Sequence, residues 1–184
     1  GREMQPLIDI HIGVISWSLG GHGSDNCTAN SGEKASENDA AHLLSRLSTD
    51  PGAQSLSTWD DKGFLAWDPS GETHVPAGES NLGTLIQNTA LMLAGVGAVG
   101  CGYEAQLEAW YRFLVDPNPH ESITFEANNA VLDGTDAIIL AQRRDFLRPD
   151  SMLAIVLLSD ENDCSIRDGG QFYFAAQTYQ PGGG

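Results

Sequence analysis

The sequence predicts an α/β fold with a mainly parallel sheet, and three observations carry that prediction. Residues 153–158, LAIVLL, run without a polar interruption, as a strand buried on both faces of a sheet does. A second run rich in Ile and Val, residues 7–16 (LIDIHIGVIS), lies far upstream of it. Segments with helical spacing stand between the two, so strand, helices and strand follow one another along the chain.

At 184 residues the chain suits one domain with a real core. Residues 7–16 alternate loosely between apolar and other side chains and read as the first strand. The glycine-rich loop after them lacks the GxxxxGK[ST] pattern of a phosphate cradle. Residues 36–47 predict a helix: Ser36 caps it, Asp39 stands at its third position, and Ala40, Leu43, Leu44 and Leu47 recur at i, i+3, i+4 and i+7. His42 lies beside that stripe as a surface or boundary residue. Residues 49–80 turn to Pro, Gly, Ser and Asp and read as a long loop insertion. One short strand, GFLAW at 63–67, interrupts it, with Trp59 and Trp67 as anchors on the core. Residues 81–96 form a helix with Leu82, Leu85, Ile86, Ala90 and Leu93 on one face, stopped by Gly95, Gly97 and Gly100. The next helix starts near Tyr103 or Glu104, carries a stripe of Leu107, Trp110, Tyr111 and Leu114, and ends at Asp116–Pro117. Residues 121–130 fit either helix or strand. Thr135 caps a short helix running to Phe146, and residues 171–174 read as helical or extended.

Composition narrows the function. The net charge of −16, from 25 acidic against 9 basic side chains, repels phosphate backbones and anionic membrane surfaces. No apolar run approaches the ~18 residues of a membrane span. Cys27, Cys101 and Cys164 allow at most one internal disulfide, and their spacing matches no zinc motif. The histidines are scattered, with no HExxH and no GxSxG elbow. His22, Ser24 and Asp25 are sequence neighbours, whereas triads assemble from distant segments, so a hydrolase is disfavoured and the chain reads as a non-enzyme. The apolar run at 153–158 breaks into Ser159, Asp160, Glu161, Asn162 and Asp163. That break sets hard oxygen ligands at the carboxyl edge of a sheet, where open α/β sheets bind their ligands and which Mg²⁺ or Ca²⁺ would favour. The bland reading of the same residues is a solvated acidic loop.

Three segments together carry a family resemblance: IHIGVISWSLG (residues 10–20), GCGYEAQLEA (100–109) and FLRPDSMLAIVLLSDENDCS (146–165). In this order they resemble von Willebrand factor A-like domains of secreted or lipid-anchored deltaproteobacterial proteins. The resemblance implies a Rossmann-like, three-layer fold with helices on both faces of a mainly parallel sheet. It also implies a metal-ion-dependent adhesion site at the sheet's carboxyl edge and an extracytoplasmic, adhesion-type binding function. In that family a DxSxS motif, a Thr and a later Asp hold the ion. Asp160 stands at the position of the later Asp. The Thr position falls near Cys101, Gly102, Tyr103 and Glu104. The DxSxS motif has only Ser16–Trp17–Ser18 as an imitation, with Val14 where its Asp belongs, and the resemblance places the first strand and helix before Gly1. The implied ligands of Mg²⁺ or Ca²⁺ are therefore Asp160, Asp163 and Glu104, and the implied partner is a protein or peptide docking at the acidic sheet edge. The same resemblance sets Cys101 and Cys164 on one edge, which implies a Cys101–Cys164 disulfide formed in an oxidising compartment. Loss of the DxSxS motif leaves a metal-free A-like interaction domain as the competing reading, and metal dependence of partner binding separates the two.

Overall fold

The computed structural model describes residues 6–21, 27, 38–126 and 129–166. At its centre lies a two-stranded antiparallel ribbon. β1 (Ile10–Ile12) pairs with β2 (Leu65–Trp67), with Ile10 opposite Trp67, His11 opposite Ala66 and Ile12 opposite Leu65. Side chains alternate along β2: Phe64 and Ala66 enter one apolar cluster, Leu65 and Trp67 the other. This is the period-two pattern of a strand covered on both faces.

Helices supply the two covers. α1 (Leu82–Val96) brings Leu85 and Met92 to the cluster that holds Val14 and Leu65. α2 (Gln106–Leu114) and α3 (Ala137–Phe146) bring Ala109, Phe113 and Ile139 to the cluster around Phe64. Phe64, Met92 and Ile139 are wholly buried, and each such side chain contributes about 1.5–3 kcal/mol. Between α2 and α3 a hairpin of β3 (Ser122–Glu126) and β4 (Asn129–Asp133) fills the stretch that fitted either structure from sequence.

Local chemistry sets the helix boundaries. Asn81 caps α1, its Oδ1 accepting from the Thr84 N–H at 3.1 Å, and Gly97 ends it at φ 74°. Gly95 is required by close packing, because a Cβ there would lie 1.8 Å from the Arg46 carbonyl oxygen. α3 is capped by Asp136, one residue beyond the expected Thr135. The short strand expected at 63–67 is β2.

The architecture is not the mainly parallel, Rossmann-like three-layer sheet expected from the sequence. The described strands form two small antiparallel sheets of two strands each, beside three helices. Two segments account for the difference. Residues 152–158, expected as the buried central strand, carry no secondary structure and lie exposed, Val156 at 79% and Leu158 at 68%. No strand among the described residues lies beside them to take up their backbone groups. Residues 38–47 form no helix either. Ala40 and Ala41 both adopt left-handed backbone (φ 51° and 59°), which a right-handed helix excludes. The chain that follows bonds across the fold instead, the Leu44 N–H to the Val14 carbonyl at 2.8 Å and the Leu43 N–H to Gln142 Oε1 at 2.9 Å.

Two expected helix stripes hold only in part, at Leu85 on α1 and at Leu114 on α2. On α2 the buried positions are Gln106, Ala109, Arg112 and Phe113, while Leu107 and Tyr111 are exposed. On α1 Leu85 is buried, but Leu82, Ile86 and Leu93 face outward. Residues 36, 37 and 171–174, on which other expectations fell, lie outside the described residues.

Candidate functional site

The start of α2 brings together part of the acidic edge expected from the sequence. Glu104 precedes the helix, and its carbonyl accepts from the Cys164 N–H at 2.6 Å, which ties the loop after residue 158 to this end. Gln106 Nε2 bridges Glu104 Oε2 at 2.8 Å and Ser159 Oγ at 2.7 Å. Burial, then the charges of Glu161 and Asp160, push the Glu104 carboxyl above its ordinary value. Glu104 and Asp160 are therefore electrostatic neighbours.

Asp163 has a different task. Its Oδ1 accepts from the Leu107 N–H at 2.9 Å, and Ser165 donates to the same carboxylate from its N–H and its hydroxyl. It caps α2, where the helix dipole favours a negative charge. Glu104, Asp160 and Asp163 do not converge as a ligand set. Among the described residues the only cluster of three or more His, Cys, Asp or Glu with ligand atoms all within 4.8 Å is Asp9, His11 and His74.

The expected Cys101–Cys164 bridge is corrected as well. Cys101 is joined to Cys27, with Cα atoms 5.3 Å apart, and Cys164 is the free thiol. The reason lies in what holds the Cys101 backbone. Its N–H donates to the buried hydroxyl of Ser18 at 2.9 Å, which turns it toward the loop after β1 rather than toward residue 164. The bridge spans a sequence separation of 74, for which the chain-entropy model gives about 4 kcal/mol.

The second cluster is built by the ribbon and the loop that follows it. Asp9 and His11 stand at i and i+2 around β1, and so on one face. His74 reaches them from the loop after β2, its Nε2 donating to Asp9 Oδ1 at 2.9 Å. That loop is organised by Asp68, which has no exposed surface. Its Oδ1 accepts from the N–H groups of Glu72 and Thr73, and its Oδ2 from those of Thr73, His74 and Gly78, at 3.1–3.3 Å. Burial by itself would raise the Asp68 carboxyl, but the N–H donors of Thr73, His74 and Gly78 outweigh it and hold it well below the usual carboxylate range. The anionic form thereby fixes the backbone that presents His74.

His11 sits deeper. Its Nδ1 lies 2.7 Å from the Phe146 carbonyl oxygen, which can only accept, so Nδ1 carries the proton and Nε2 presents its lone pair. That Nε2 is buried and has no hydrogen-bond partner. Phe64 and His74 pack on the ring with centroids 4.5 and 5.2 Å away. Burial pushes the imidazole below its ordinary pKa and keeps it neutral. Arg148 pairs with Asp9 Oδ2 and so fixes the orientation of that carboxylate.

A third polar cluster joins the helices. Asp136 accepts from the Ile138 and Ile139 N–H groups through Oδ1, and from His42 Nε2 at 2.7 Å and Arg112 Nη2 at 3.0 Å through Oδ2. Burial opposes its ionisation, but the Ile139 N–H, His42 and Arg112 win and lower its pKa. His42 thus ties residues 38–47 to α3. His22, Ser24 and Asp25 lie outside the described residues. No helix among the described residues is long and apolar enough to cross a membrane. No protein-family model, curated protein or solved structure matches the chain.

Proposed function

We propose that this protein is an extracytoplasmic peptide-binding module that captures an apolar, extended segment of a partner along residues 152–158. The carrying observation is the state of that run. Every residue from Met152 to Leu158 is exposed, and none of their backbone groups hydrogen-bonds to another described residue. Exposed apolar chain with open N–H and C=O groups is a template for strand addition, and contiguous apolar patches mark interaction sites.

Charge defines the partner. The run leads into Asp160 and Glu161, beside Glu104, in a chain of net charge −16. The complementary ligand is an apolar strand with Lys or Arg at the end that meets these carboxylates. The Cys27–Cys101 bridge supports an extracytoplasmic setting. Because Asp163 is committed to the α2 cap, recognition at this edge runs directly through the carboxylates and needs no Mg²⁺ or Ca²⁺.

Fluorescence polarisation tests the reading with a labelled peptide of alternating Val and Ile followed by two lysines. Saturable binding is expected that weakens with salt, ignores chelator, and disappears in Val156→Pro, which removes one N–H without disturbing any buried contact. Undiminished binding by Val156→Pro would sink the strand-addition reading. Binding abolished by chelator would return the function to a metal-mediated edge.

A further inference from the structure

The geometry points to a site for a divalent transition-metal ion, of which Zn²⁺ is the representative, held by Asp9, His11 and His74 at the outer end of the ribbon. Their ligand atoms lie within 4.8 Å of one another. A tetrahedral zinc ion with bonds of about 2.0–2.2 Å sets its ligand atoms about 3.4 Å apart, so adjustments of about an ångström complete the site. Side-chain rotation supplies them.

His11 is the observation that points to a ligand. Metal-binding histidines almost always donate their other ring N–H to a carbonyl or carboxylate, which fixes the tautomer and aims the lone pair. His11 does this through Nδ1 to Phe146, and its Nε2 is left buried with nothing to bond. A buried acceptor without a partner is destabilising, and a metal ion would supply the missing partner. The surroundings fit as well. The Phe64 and Phe146 rings pack around His11, while Asp9, 28% exposed, leaves a solvent route and an open coordination position. His74 is held ready by the Asp68 cradle. On metal binding its Nε2 turns from Asp9 to the ion, and its proton passes to Nδ1 through solvent.

The donor set selects the class of ion. Two imidazole nitrogens and one carboxylate suit zinc and its first-row neighbours, whereas Mg²⁺ and Ca²⁺ demand six or more oxygens. Arg148 beside Asp9 further reduces the negative charge that a hard cation would require. This site is separate from the peptide edge at residues 152–163, and either can fail without the other.

Calorimetric titration of chelator-stripped protein with ZnCl₂ tests it, followed by visible absorption with Co²⁺. One saturable Zn²⁺ per chain is expected, with d–d bands for Co²⁺ and no competition from millimolar Mg²⁺ or Ca²⁺. His11→Gln and His74→Gln each remove a direct ligand and should weaken Zn²⁺ binding by more than the about 10–100-fold typical of losing an outer-shell partner. Asp9→Asn, an isosteric change at a partly exposed side chain, should weaken it by about tenfold or more and serves if a histidine variant fails to fold, with circular dichroism in chelator as the check. Absence of saturable binding overturns the proposal. So does Zn²⁺ affinity unchanged in the His11→Gln/His74→Gln double variant, which would mean adventitious surface binding only.

Discussion

The ribbon end and the acidic edge are built from similar side chains and reach opposite states. At the ribbon end, Asp68 takes up the N–H groups of its loop, His74 is tied to Asp9, and Arg148 closes the ring of contacts. At the acidic edge the contacts from Cys164, Gln106 and Asp163 stop at residue 159, and the apolar run before it is left open along its length. The first region satisfies its polar groups within the chain, His11 Nε2 and Arg148 Nε excepted. The second leaves apolar surface and backbone groups for something else to satisfy, because no described strand shares its edge. Organisation at a site therefore depends less on composition than on whether neighbouring backbone is present to be bonded.

The sharpest way to break that contrast is to hollow out the closed region. Phe64 has no exposed surface and packs with Trp59, His11 and Phe146. Phe64→Ala should cost about 3–5 kcal/mol in denaturant unfolding, the usual range for a buried aromatic. It should also loosen His11, so Zn²⁺ binding and stability should fall together. A loss below about 1 kcal/mol would show that the ribbon end is not a packed core.

Much of this closed region was legible in the sequence, and the exceptions have identifiable causes. The ends of α1 at Asn81 and Gly97 were readable because capping and helix-breaking chemistry is local. The strand at 63–67 was readable because its aromatic and aliphatic residues alternate toward two covers. The helix expected at 36–47 failed because Ala40 and Ala41 are left-handed, a conformation that no alanine advertises. The stripe on α2 held only in part because Ala109 and Arg112, not Leu107 and Tyr111, face the core; Arg112 is drawn inward by Asp136 and the Ala40 carbonyl. Of the ribbon site, the sequence carried one usable signal, the i, i+2 spacing of Asp9 and His11 on a strand. His74 comes from a loop whose shape depends on Asp68, and no pattern in residues 69–79 announces that dependence.

A smaller effect comes from acid. Burial lowers the His11 pKa in the folded state, with Arg148 and His74 acting in the same direction and Asp9 and the Phe146 carbonyl against it. The unfolded chain therefore binds this proton more readily than the folded one. The stability from keeping His11 neutral is fully present above its ordinary value of 6.5 and is lost as pH falls from there through the depressed folded value. Thermal unfolding between pH 7.5 and 5 should show the midpoint falling on acidification, with a shallower slope in His11→Gln. Equal slopes would place the acid sensitivity elsewhere.

The smallest effect is the most informative about the open region. Val156 is 79% exposed, with no backbone hydrogen bond to another described residue. If the run is an unfilled docking edge, Val156→Asp removes no packing and breaks no ladder, and unfolding free energy should stay within about 0.5 kcal/mol of the parent. The same change puts a charge at the centre of the apolar run and beside the acidic cluster, so it should abolish capture of the apolar, lysine-ended peptide. Stability and binding then separate at one residue, whereas at Phe64 they fall together. A Val156→Asp loss of several kcal/mol would mean that the run is buried in solution, and the contrast between a closed ribbon end and an open edge would collapse.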